Sequence, residues 1–253
     1  MQLFFRKFGN GAPLVILHGI LGSSDNWFTL GKKFAENFTV YLPDLRNHGR
    51  SPHSDVFSAD AMIEDLKEFL IDNDLQSANV LGHSLGGGIA IKFAAKYSKM
   101  VQKLIVVDFA PKKYRTNLEG LIRWLISWDV SKVRTIREAD RQLAVTFPDK
   151  NVRGFLLKNL YRKHNGNLEW KINLKAIYNN LEGISGYIQE GLVVENPCLF
   201  IRGENSDYVK PEDVYLIRQY FSDARIESIP GAGHWVHADA PEKFLDLVKD
   251  FVL

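Results

Sequence analysis

The chain has a single cysteine, Cys198, among its 253 residues, which excludes an internal disulfide framework and fits a reducing compartment. It lacks any uncharged apolar run near the ~20 residues needed to span a membrane. Its first residues, Met1-Gln2-Leu3-Phe4-Phe5-Arg6-Lys7, put their charges after a short apolar run, the reverse of a secretory leader. Excess charge is also scarce: 32 Lys and Arg against 30 Asp and Glu leave a formal net charge of +2, so no global field points to nucleic acid. Internal repeats and low-complexity tracts are absent. These absences predict a soluble, cytoplasmic globular protein with no nucleic-acid or membrane partner.

What is present is ordinary in bulk and ordered in detail. The composition is 45% apolar, 25% charged and 12% aromatic, enough apolar material for one large α/β domain or a core with an insert. Residues 2 to 8 read as a strand ended by the turn signal Gly9-Asn10-Gly11. Leu14-Val15-Ile16-Leu17 and Phe38-Thr39-Val40-Tyr41-Leu42 are short apolar runs of the kind buried on both faces of a parallel sheet. The loop His18 to Trp27 follows the first run, and Asp25 is expected to cap the helix after it. The second run leads into Pro43-Asp44-Leu45-Arg46-Asn47-His48-Gly49-Arg50-Ser51-Pro52, a polar loop read as scaffold, with Asp44 structural. Ser58 is placed to cap a helix over residues 59 to 73, where Met62, Ile63, Leu66, Phe69 and Leu70 form one apolar stripe. Further strands are expected at Asn79-Val80-Leu81, Lys103 to Val107, Cys198 to Arg202 and Arg225 to Ile229, with helices begun by Pro211 and Pro241. Cys198 reads as a small packed hydrophobe.

Strand alternating with helix implies a mostly parallel sheet covered on both faces. The pattern changes between Pro111 and about Glu190, where strand signals disappear in favour of amphipathic helices. Residues 1–110 and 191–253 are therefore expected to form an α/β core, with 111–190 as a helical cap over the carboxyl ends of the strands, where sites form. Aromatic residues are spread through that segment, at Trp124, Trp128, Phe147, Phe155, Tyr161, Trp170, Tyr178 and Tyr187. Most are expected to pack, with a few lining an acyl pocket; Trp124 and Trp128 are the candidates for substrate contact.

The organising stretch is Gly82-His83-Ser84-Leu85-Gly86, a G-x-S-x-G pentapeptide between an apolar strand and the helical run Gly87 to Ala95. Raising a serine oxygen clear of a sheet needs a strained, positive-φ turn whose flanking chain passes too close for side chains two positions away. Glycines at 82 and 86 meet that need. A serine hydroxyl is a weak nucleophile. It needs a base to take its proton and an anion to hold the base's tautomer.

In an α/β-hydrolase those groups follow in the order Ser, acid, His, and Ser84, Asp108 and His234 satisfy it. His237 is the local rival and is expected to lie at the surface. The two histidines lack a third residue with metal-ligand spacing, so no metal site is expected. The acid is open between Asp108, one βα unit beyond the nucleophile's strand, and Asp207, which follows the next core strand; Asp108 is preferred. An oxyanion hole is expected from the backbone N–H groups of Leu85 and Ile20.

The segments His18 to Trp27, Asp44 to Ser51, Gly82 to Gly87, Val107 to Pro111, Arg202 to Ser206 and Gly231 to Ala238 together resemble the YbfF-type esterases of the α/β-hydrolase superfamily. The resemblance spans nearly the whole chain; in the segment 112–190 it extends only to helical character and length. It implies a serine esterase or thioesterase that needs no cofactor and takes a small-molecule acyl ester or acyl-CoA of short to medium chain. It also implies that the aspartate of the Asp-x-Ala-Pro segment, Asp108, is the acid, whereas Asp207 stands where the family often has another residue.

Residues 112–190 hold 15 Lys and Arg against 8 Asp and Glu. A basic lid would draw an anionic leaving group such as CoA, while solvated helix faces explain the same count without a substrate. The same serine machinery also serves carbon–carbon bond hydrolysis and perhydrolysis, and a ligand-binding relative could keep the fold without turnover. Dehalogenase and epoxide hydrolase chemistry fits poorly, since relatives of that kind use an aspartate where Ser84 stands.

Overall fold

The computed structural model describes residues 1–114, 118–184 and 192–253. Seven strands form one sheet: β1 (Phe5–Phe8), β2 (Ala12–Leu17), β3 (Phe38–Pro43), β4 (Ala78–His83), β5 (Val101–Val107), β8 (Cys198–Gly203) and β9 (Arg225–Ile229). Their spatial order is β1-β3-β2-β4-β5-β8-β9, and only β1 runs antiparallel to its neighbour. The period of two along each strand divides the core into two layers. Val15 and Leu17, Val80, Leu104 and Val106, and Phe200 face one layer; Leu14 and Ile16, Leu81, Ile105 and Val107, and Ile201 face the other.

Helices close both faces, as the alternating pattern requires. On one side lie α2 (Ala59–Asp72) and α3 (Leu85–Lys96), and on the other α1 (Ser24–Phe34) and α10 (Pro241–Val252). The predicted stripe of α2 is buried at every position, and Ser58 caps the helix by accepting the Ala61 N–H at 3.3 Å. Full burial of each such large apolar side chain contributes about 1.5–3 kcal/mol. Cys198 is buried, with its thiol donating to the Asn196 carbonyl, and burial pushes its pKa up to about 12. The short helices α8 (Asp213–Tyr220) and α9 (Val236–Asp239) complete the carboxyl-terminal third.

Between β5 and β8 lie α4 (Leu118–Ser127), α5 (Ile136–Thr146), α6 (Lys150–Leu157) and α7 (Leu174–Asn179). This segment also contains a two-stranded hairpin of β6 (Leu160–Arg162) and β7 (Leu168–Trp170), which a purely helical reading missed. Its turn is built on Asn165-Gly166, with Gly166 at φ +87°, and closed by Lys163 N–H donating to the Asn167 carbonyl at 2.8 Å. Asn-Gly is a strong hairpin signal, hidden here because the strands on either side are only three residues long. Tyr187 and the segment's carboxyl-terminal boundary at residue 190 lie outside the described residues.

Another local expectation fails at α1. Its start is held by Asn26 Oδ1 accepting the Ser23 N–H at 2.8 Å and by Asp44 Oδ1 accepting the Ser24 N–H at 2.6 Å. Asp25 is instead inside the first turn, paired with Arg6 and Lys171. Asp44 also accepts the Arg50 N–H at 2.9 Å through Oδ2, so it fastens two loops together.

Candidate active site

Ser84 stands between β4 and α3 at φ +53°, in the region that costs a non-glycine residue about 1–3 kcal/mol. The close approach that demands glycine is visible on both sides. A Cβ at Gly82 would lie 2.1 Å from the Gly86 carbonyl oxygen, and one at Gly86 would lie 2.5 Å from the Leu17 carbonyl oxygen. The Ser84 N–H donates to the Val107 carbonyl at 3.0 Å, which ties the turn to the end of β5.

Parallel register carries the next residue into place: His83 is opposite Val107, and Val107 is opposite Ile201. Asp108, directly after β5, is buried at 1% exposure and also has a positive φ of +48°. Its Oδ2 accepts from His234 Nδ1 at 2.7 Å and from the Ser206 hydroxyl, while Oδ1 accepts the Gly203 N–H at 3.2 Å. Three donors, one from the end of β8 and two from later loops, therefore fix the carboxylate. Asp207, the alternative acid, is exposed and makes no hydrogen bond to His234.

His234 spends its Nδ1–H on Asp108, leaving Nε2 with the free lone pair. The ring is sandwiched: Tyr208 stacks on it at a centroid distance of 3.7 Å and an angle of 16°, and His83 lies at 4.7 Å on a tilted contact. His83 Nε2 donates to the His234 carbonyl at 2.9 Å. Ser84 and His234 line one cavity but form no hydrogen bond with each other in this conformation. His237 departs from its expected surface position. It is 7% exposed and stacks on Trp27 at 4.0 Å, because α9 turns it inward against α1. Burial and then the nearby His234 push its pKa down to about 3.

The loop after β2 is a tight turn, with the Gly22 N–H donating to the Gly19 carbonyl at 3.0 Å. That carbonyl also accepts the His18 Nδ1–H at 2.8 Å. A trans peptide points its N–H opposite to its C=O, so the Ile20 N–H faces away from these bonds, and Ile20 lines the cavities beside Ser84. Leu85, as the first residue of α3, has an amide with no intrahelical acceptor. Both expected oxyanion donors are thus free and adjacent to Ser84. His18 and His48 support the loop as neutral rings. Each donates from Nδ1 to a carbonyl and accepts at Nε2, from Leu45 N–H at 2.9 Å and Leu21 N–H at 3.1 Å respectively.

Two chambers meet at Ser84. The larger, of about 680 Å³, is walled by Leu85, Phe109, Tyr114, Tyr178 and Tyr208, with Glu119, Asn179 and Glu182 at its edge. The smaller, of about 280 Å³, is walled by Leu121, Val152, Phe155, Leu156, Trp235 and the His234 ring. Trp124 and Trp128 line neither. They meet each other on a tilted contact at 5.6 Å and are drawn off by Phe147 and Trp170 into a separate aromatic cluster. Among the described aromatics of the segment, Tyr114, Phe155 and Tyr178 reach the chambers. Sequence reading gave no role to Tyr208 or Ser206, and named Phe155 only among the aromatics of which a few were expected to line a pocket. Ser206 and Tyr208 lie on either side of Asp207, in the loop singled out for that acid alone.

The basic excess of the inserted segment is not found at these walls. Among the described lining residues there is no Lys or Arg. Arg123 pairs with Glu119, Arg153 with Asp140, Lys163 with Glu169 and Lys171 with Asp25.

The profile of the α/β-hydrolase fold matches residues 12–241. The chain belongs to the α/β-hydrolase family. This hydrolase is 36% identical over 252 residues to the sn-1-specific diacylglycerol lipase ABHD11 of Danio rerio, covering 96% of this chain and 79% of that one. It is 31% identical over 244 residues to Esterase YbfF of Escherichia coli, covering 96% and 94%. A solved structure of a marine microorganism esterase superposes at a TM-score of 0.95 with 44% identity, covering 99% of each chain. The resemblance to YbfF-type esterases is thus borne out, and the hydrolase has esterase and lipase kin. Among the described residues no helix is long and apolar enough to cross a membrane.

Proposed function

We propose that this hydrolase cleaves uncharged carboxylic esters through an acyl-serine intermediate, with Ser84 as nucleophile, His234 as base and Asp108 as the acid that orients it. The observation that carries the reading is the 2.7 Å bond from His234 Nδ1 to Asp108 Oδ2, made beside a serine held at φ +53° on the same cavity wall. Catalytic hydrogen bonds often tighten only when substrate binds, so the open Ser84–His234 contact is consistent with it.

In the proposed reaction, His234 Nε2 takes the Ser84 proton as Oγ attacks the acyl carbon. The Ile20 and Leu85 amides receive the developing oxyanion, an interaction for which loss of one donor costs about 10²–10³ in rate. Collapse breaks the bond to the alcohol oxygen, which leaves with the proton from His234. Water then attacks the acyl carbon, gives its proton to His234, and the second collapse returns that proton to Ser84 Oγ. The segment 111–190 acts as a cap, since Phe155, Leu156 and Tyr178 supply chamber walls from it.

A chamber of 280 Å³ equals about nine water volumes of ~30 Å³ each, which supports a short to medium chain. Glu182, a lining carboxylate with no ion-pair partner among the described residues, supports uncharged substrates, and the diacylglycerol lipase relatives are named for an uncharged ester. A thioester would pass through the same steps. The net positive charge of the cap favours an acyl-CoA, but no Lys or Arg is among the described residues that line the chambers. Release of p-nitrophenol from its butyrate ester by the wild type, lost in Ser84→Ala, tests the proposal; equal rates would refute it.

A further inference from the structure

The turn Gly19-Ile20-Leu21-Gly22 has its third residue at φ +57°, in the left-handed region. A turn of this kind normally places glycine there, and an L residue pays about 1–2 kcal/mol. Leu21 is nevertheless buried at 2% exposure, and both of its backbone groups are held from outside the turn. Its N–H donates to His48 Nε2 at 3.1 Å, from the core. Its carbonyl accepts Asn159 Nδ2 at 2.7 Å, from the segment inserted between β5 and β8.

Asn159 is built into that segment with little freedom. It is 1% exposed and follows α6. Its own N–H donates to the Leu156 carbonyl at 3.0 Å, and its carbonyl accepts the Lys171 N–H at 2.8 Å. The side-chain amide also donates to the Phe155 carbonyl at 3.2 Å, whereas Oδ1 is buried with no partner among the described residues. An unpaired buried acceptor costs about 1–3 kcal/mol, which the two bonds donated by Nδ2 must offset. One of those bonds reaches across 138 residues of sequence to the strained turn.

We propose that Asn159 is a positioning residue that holds Leu21 in its strained conformation and so keeps the Ile20 amide aimed at the substrate oxygen. The link is geometric. The Leu21 conformation brings the Gly22 N–H back to the Gly19 carbonyl, and that carbonyl fixes the direction of the Ile20 N–H in the same peptide plane. The inserted segment therefore sets the oxyanion site as well as the chamber walls. The inference rests on the proposed hydrolysis at Ser84.

The test is steady-state hydrolysis of p-nitrophenyl butyrate by wild type, Ser84→Ala, Asn159→Asp, Leu21→Gly and Leu21→Gly/Asn159→Asp, with melting temperatures for each. A carboxylate cannot donate to the Leu21 carbonyl, but a protonated carboxyl can. At pH 8, Asn159→Asp is expected to lower kcat about tenfold with KM within about twofold, a fraction of the cost of losing an oxyanion donor outright. Its kcat relative to wild type should recover as pH falls towards 5 and the introduced carboxyl takes up a proton. Glycine adopts the turn without strain, so in the Leu21→Gly background the loss should shrink to about threefold or less. Asn159→Ala gives the same background comparison if the carboxyl variant does not fold. An unchanged kcat, a loss confined to KM, or an equal and pH-independent loss in both backgrounds would overturn the inference while leaving Ser84 hydrolysis standing. Turnover by Ser84→Ala at the wild-type rate would instead remove the reading beneath it.

Discussion

Asp108 Oδ2 lies 2.7 Å from His234 Nδ1, although 126 residues separate the two in the chain. The contact exists because adjacent parallel strands end at one level and the last loop crosses back over them. Asp207 is closer in sequence to His234 but is exposed to solvent. Asp108→Asn is expected to lower kcat on p-nitrophenyl butyrate by about 10³–10⁴ through loss of the proper tautomer. Asp207→Asn should stay within about twofold. The reverse ranking would assign the acid to Asp207.

Four buried histidines predict acid lability. Burial, the first cause in each case, lowers His18 to about 4, His48 to about 3 and His237 to about 3, from an ordinary value of 6.5, and holds His83 well below it. These rings are neutral when folded, whereas the unfolded chain takes up protons below about pH 6.5. Their contribution is therefore complete above that pH and is lost as pH falls towards 3–4. Within the window each histidine steepens the dependence by up to about 1.4 kcal/mol per pH unit. Urea unfolding at pH 7.5, 6 and 5 should show this fall, and His237→Phe, which keeps the stacking on Trp27, should lessen it. A flat profile would contradict the burial of these rings as neutral species.

Glu182 lines the larger chamber and forms no ion pair among the described residues, unlike Glu119, which Arg123 neutralises; it predicts discrimination against anionic substrates. Like charges a few ångströms apart near water repel by about 1 kcal/mol, a severalfold effect. Glu182→Gln should raise kcat/KM for butyryl-CoA severalfold at low salt and leave the neutral ester unchanged. Added salt should likewise raise butyryl-CoA turnover by the wild type. A fall with salt would instead favour attraction by the basic residues of the segment inserted between β5 and β8.

The fold and the side chains that meet at the candidate site were legible in the sequence because each rests on local chemistry. The glycines flanking Ser84 mark a close approach, apolar runs mark buried strands, and Ser58 marks a helix start. The misses arose where a neighbour distant in sequence decides the outcome. His237 reads as exposed until α9 turns it onto Trp27, and Trp124 and Trp128 read as substrate contacts until Phe147 and Trp170 claim them. Asn159 carries no local signal at all, since its meaning lies in a carbonyl on the other side of the molecule.

The most direct measurement is covalent labelling with an alkyl fluorophosphonate, read by intact mass and peptide mapping. The account predicts one adduct per chain on Ser84, no adduct in Ser84→Ala, and labelling slowed by orders of magnitude in His234→Ala. A protein that stays unlabelled, or that carries its adduct elsewhere, would contradict it.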